Sequence, residues 1–81
     1  KKVYVDNPNH PDIATSLGNF GSVYNNKGEY ENALKYYNEA LEIEKKVYVD
    51  NPNHPDIATS LGSIGSVYNS KGEYENALKY Y

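Results

Sequence analysis

Ile13, Leu17, Phe20 and Tyr24 recur at spacings of four, three and four residues. That period marks one apolar face of a helix. Thr15, Gly18, Asn19, Ser22 and Asn26 fill the opposite side, all small or polar and none charged. The pattern predicts a helix over 11–27. Pro11 suits its first position, where the missing N–H is not needed, and Asp12 suits the positive end of the helix dipole. The preceding His10 or Asn9 is the expected N-cap, and Gly28 the expected stop. Gly21 lies beside the apolar face. A glycine inside a helix costs about 0.5–1 kcal/mol against alanine, so close approach of a neighbouring helix is the expected compensation.

A second, wider apolar pattern follows. Tyr30, Ala33, Leu34, Tyr37, Ala40, Leu41 and Tyr48, flanked by Tyr36, Ile43 and Val47, predict a helix over about 29–48. A helix apolar over more than half its circumference packs on two sides. Glu31, Asn32, Lys35, Asn38, Glu39, Glu42, Lys45 and Lys46 form the narrow solvated remainder. Within it Glu31–Lys35 and Glu42–Lys46 have the favourable i,i+4 order, each worth about 0.2–0.5 kcal/mol.

The rest of the chain is a second copy. Residues 45–81 repeat residues 1–37, a period of 44, and only Asn19/Ser63, Phe20/Ile64 and Asn26/Ser70 differ. A period of roughly 20–50 residues is the signature of a stacked repeat array. The copy predicts a third helix over 55–71 and a helical stub from about 73. The expected organisation is the tail of a preceding unit at 1–5, a complete unit at 6–49, and a unit at 50–81 truncated in its second helix.

Composition narrows the partners. The net charge is −3, from 8 lysines and 11 acidic residues, and arginine is absent. Nucleic acid calls for a basic face, so it is not an expected partner. No apolar run approaches the roughly 20 residues that span a bilayer, so a membrane is not expected either. No leader is visible, which makes cytoplasmic the expected location. With no cysteine, neither a disulfide nor a thiolate metal site is available.

The series Leu17-x2-Phe20-Gly21-x2-Tyr24, then Gly28-x-Tyr30-x2-Ala33-x3-Tyr37-x2-Ala40, resembles the tetratricopeptide repeat, with Leu17 in place of the family's usual tryptophan. It recurs at Leu61, Ile64, Gly65, Tyr68, Gly72, Tyr74, Ala77 and Tyr81. The 44-residue period exceeds the usual 34, and Lys45 stands where the family has a proline after its second helix. The His-Pro-Asp opening and the long helices look most like the elongated repeats of kinesin light chains. The resemblance implies an all-α fold of antiparallel helix pairs, stacked as a right-handed superhelix or α-solenoid. It also implies that the first helices line a concave groove that binds peptides. Asn19 matches an asparagine that holds peptide backbone there, and Ser63 departs from it.

Thr15, Asn19, Ser22 and Asn26, with Thr59, Ser63, Ser66 and Ser70, are therefore the candidate groove residues. Solvated helix faces normally carry Lys and Glu, whereas Asn and Ser are poor helix formers. Amides and hydroxyls suit hydrogen bonds to a peptide backbone. Because the stripe is uncharged, binding there is expected to depend little on salt.

Other candidates read as structural. His10-Pro11-Asp12 and His54-Pro55-Asp56 combine residue types that serve metals and acid–base chemistry, but helix initiation accounts for them. Asp50-Asn51-Pro52-Asn53 resembles a calcium loop only faintly, since proline takes a ligand position. Tyr24, Tyr30 and Tyr37 fall on core faces, and Tyr36 at the edge of the apolar arc. No nucleophile–base pair, metal cluster or phosphate loop is present, so no enzyme, metal or cofactor is expected. Two functions remain: a protein-interaction scaffold whose groove takes a peptide or partner helix, and a structural module that self-associates. Both ends of the chain fall mid-unit and lack the polar cap that terminates arrays. Head-to-tail stacking or exchange of helices between chains is therefore expected.

Overall fold

The structure, a computed structural model, describes residues 10–72. They form three helices: α1 Pro11–Asn26, α2 Tyr30–Val47 and α3 Pro55–Ser70. The fold is all-α, with no strand among the described residues. The tail at 1–5, the loop residues before His10 and the stub from 73 lie outside the described residues.

Each first-type helix starts by the same local chemistry. His10 is the N-cap of α1, and its Nδ1 accepts a hydrogen bond from the Asp12 N–H at 3.0 Å. His54 does the same for Asp56 in α3, again at 3.0 Å. Both His-Pro-Asp triplets are thus helix starters. The ends are equally local. Gly28 takes a φ of 78° after the C-cap Lys27, a left-handed conformation that glycine adopts without a Cβ clash. Its N–H donates to the Asn25 carbonyl at 3.0 Å, and the Glu29 N–H to the Tyr24 carbonyl at 2.9 Å. This pair of bonds is the Schellman closure. Gly72, at φ 83°, follows α3, and its N–H donates to the Asn69 carbonyl at 3.0 Å.

Helix α2 is one residue shorter at each end than its sequence pattern suggests. Glu29 and Tyr48 flank it in non-helical conformations. Lys45 and Lys46 occupy its last turn, where cations oppose the negative end of the dipole. Glu31 makes its ion pair with Lys71 at the end of α3 rather than with Lys35 one turn along.

The wide apolar arc of α2 does pack on two sides. Toward α1, Tyr37 lies against Gly21, and Tyr36 stacks on Tyr24 with ring centroids 5.4 Å apart and planes 2° from parallel. Toward α3, Glu31 near the start of α2 meets Lys71, while Glu44 and Tyr48 near its end meet Ser60 and Asp56. Early residues of α2 therefore face late residues of α3, and the pair is antiparallel. Ala33, Leu34, Tyr37, Leu41, Ile57, Ile64 and Val67 form one continuous core. Tyr24, Tyr30, Tyr48, Leu61 and Tyr68 pack on it as half-buried residues.

One expectation for α1 is corrected. Its Ile13–Leu17–Phe20–Tyr24 stripe is not a buried face: Phe20 is 55% exposed and the other three are half-buried. The buried residues of α1 are Ala14 and Gly21. Among the described elements only α2 packs on α1, and it takes the Ala14–Gly21 edge. In α3 the position equivalent to Phe20 is Ile64, which is 0% exposed because α2 covers that side.

A polar cleft between the first-type helices

The cleft grows out of the two-sided packing of α2. Helices α1 and α3 lie on either flank of α2, and their small polar residues face the space between them. That space has a volume of about 310 Å³. Thr15, Asn19 and Ser22 of α1 line it together with Thr59 and Ser63 of α3. Five of the eight candidate groove residues are thus brought to one cleft. Asn26, Ser66 and Ser70 are not: Asn26 and Ser70 are the exposed last residues of their helices, and Ser66 is half-buried away from the lining. The Thr15 hydroxyl donates to the Pro11 carbonyl at 3.2 Å, a bond within its own helix.

Gly18 belongs to the same wall, and a Cβ added there would meet nothing within 4 Å. The floor is made by residues the stripe does not contain. Ala14 and Tyr37 come from the α1–α2 contact, and Glu44 and Ser60 from the α2–α3 contact. Glu44 is only 8% exposed, and its Oε1 accepts a hydrogen bond from the Ser60 hydroxyl at 2.5 Å. Burial pushes the Glu44 carboxyl above the ordinary glutamate range. The Ser60 hydrogen bond opposes that shift, the charge of Asp56 adds to it, and that of His54 opposes it.

Asp56 also lines the cleft. Its Oδ2 accepts from the Tyr48 hydroxyl at 2.9 Å, which holds the phenol above its ordinary pKa. Tyr48 in turn stacks on His54, with centroids 3.6 Å apart and planes 5° from parallel. The loop from α2 to α3 is therefore clamped directly beside the cleft.

Glu44 and Asp56 correct the expectation of an uncharged groove. The stripe is neutral but the cleft is not, and its lining holds two carboxylates and no cationic side chain. A signal for Glu44 was present in the sequence. It follows Ala40 by four residues and Leu41 by three, so it stands alone as a charge on the apolar arc of α2. Asp56 reads locally as a helix-dipole residue, which it also is, and nothing in its own helix marks it for the cleft. The described residues contain no helix long and apolar enough to cross a membrane.

No curated protein matches the chain. The family model described as tetratricopeptide repeat matches it over residues 3–46 and again over residues 12–81. The chain belongs to the tetratricopeptide repeat family.

Proposed function

We propose that this tetratricopeptide repeat chain is a protein-interaction scaffold, with the cleft between α1 and α3 as its binding groove for an extended peptide or a partner helix. Family membership supports the scaffold. The observation that carries the groove is the convergence of Thr15, Asn19, Ser22, Thr59 and Ser63 on one cleft. These short hydroxyls and amides come from two helices, and none of the five is buried in packing. Such groups match the donors and acceptors of a peptide backbone. Asn26, Ser66 and Ser70 extend the same face along α1 and α3 beyond the cleft. Selection of binders from a random peptide library, followed by amide shift mapping, tests the reading. Shifts should centre on the five cleft residues, and Asn19→Ala should weaken binding. Shifts centred on the outer face of α2, around Glu39 and Glu42, would refute it.

A second reading is a structural module that self-associates head to tail or by exchange of helices. Its support is the contrast between the copies. Phe20 and Val23 of α1 are each 55% exposed, whereas Ile64 and Val67 of α3 are 0% exposed under α2. A helix with the apolar arc of α2 therefore matches the open side of α1. The unit of such an assembly is the 44-residue repeat, with boundaries at 6–49 and 50–81 and the tail of a preceding unit at 1–5. Sedimentation across a concentration series tests it. Association that Val23→Lys abolishes supports it, and a mass fixed at one chain up to high concentration rules it out.

A further inference from the structure

We propose that the segment bound in the groove presents a cationic side chain, lysine or arginine, to Glu44 at the floor of the cleft. The inference rests on the groove reading above and adds to it the chemistry of the partner. A carboxylate removed from water is costly unless a counter-charge or several donors compensate it. Glu44 is nine-tenths buried and receives one hydrogen bond, from Ser60 to Oε1. Its Oε2 accepts no hydrogen bond from the described residues and is not among the fully buried unpaired atoms, so it is left for a group entering the cleft that Glu44 lines. An ammonium or guanidinium group supplies the charge and the donors that the protein leaves out.

Two further observations agree. Asp56 lines the same cleft, so the local field is negative on two sides; no lysine lines it, and His54, which opposes the shift at Glu44, stands outside the lining. The nearest ion pair of α2 with α3, Glu31–Lys71, lies at the other end of the helices. The rest of the cleft wall is neutral and polar, suited to the backbone of the bound segment. The carboxylates then select its side chain, and an acidic segment is rejected by the same field. A volume of about 310 Å³ accommodates a long side chain, at the small end of ordinary ligand sites.

The test uses the intact, isotopically labelled chain and three capped peptides in which serine alternates with lysine, glutamine or glutamate. The lysine peptide should move the amides of Asn19, Ser22 and Ser63 saturably and lose affinity as salt is raised. Glu44→Gln should weaken it about tenfold or more, the scale of a lost charged hydrogen bond. Glu42→Gln, on the exposed face of α2, should leave it unchanged. If the glutamine peptide binds the groove as tightly as the lysine peptide, or Glu44→Gln has no effect, the cation is overturned and the groove stands. If no peptide moves these amides, the groove reading falls and this inference with it. The salt series on the unaltered protein decides the matter without any variant: a groove affinity that ignores salt overturns the proposal.

Discussion

The ring of Tyr37 lies flat in the space a side chain at Gly21 would need: a Cβ built there would stand 2.9 Å from Cδ1 and from Cε1 of the ring. Real Cβ atoms do not approach that closely, and any shift of the ring disturbs the core cluster to which Tyr37 belongs. Gly21→Ala should therefore destabilise the chain by about 1–3 kcal/mol, the usual cost of overpacking. Gly18→Ala meets open space and should raise stability by about 0.5–1 kcal/mol through helix propensity. Denaturant unfolding of the two variants checks this, and equal losses would contradict the packing.

Ser16 and Ser60 occupy the same position in two nearly identical helices. Ser16 is exposed, whereas Ser60 is buried and donates to Glu44. Ser60→Ala should cost about 1–3 kcal/mol, because it strips a buried carboxylate of its donor. Ser16→Ala should stay within about 0.5 kcal/mol of the unaltered chain. Thermal melts of both variants under one condition give the comparison.

The raised pKa of Glu44 fixes the sign of a pH dependence. Burial comes first among its causes, and Asp56 adds to it. Ser60 and His54, which also face the carboxylate, act in the opposite direction. A carboxyl with a raised folded pKa holds its proton more tightly folded than unfolded. Its favourable contribution is full below the ordinary glutamate pKa and is lost as pH climbs through the raised value. The unaltered chain should therefore lose stability relative to Glu44→Gln as pH rises through that window. Melting midpoints of both proteins from acid to neutral pH show it. A constant difference would mean that Glu44 titrates alike in both states.

Ile64→Ala should cost about 2–5 kcal/mol, as for other fully buried aliphatic residues. Phe20→Ala, at the equivalent position of α1, loses only an exposed tilted contact with Tyr36 at 5.7 Å. It should cost clearly less than Ile64→Ala, because more than half of Phe20 is already in water. The comparison needs dilute protein, since association over the Phe20 face would add its own stabilisation. Comparable losses in dilute solution would mean that Phe20 is covered.

The sequence by itself determined where α1 and α3 begin, and placed the ends of all three helices to within a residue. Pro11 and Pro55 start helices, and Gly28 and Gly72 stop them, because capping and left-handed turns depend on a few adjacent residues. It also revealed the repeat, the family and the close approach at Gly21, and it placed five candidate groove residues on faces that line one cleft. Tertiary structure decided which face of each copy is covered. Ser16 and Ser60, or Val23 and Val67, have nearly the same local sequence, yet α2 packs on that side of α3 and on the other side of α1. Helix periodicity defines a face but says nothing of which neighbour lies against it. For the same reason the cleft's charge was hidden: Glu44 belongs to α2, the stripe to α1 and α3, and only packing three helices together brings their side chains to one space.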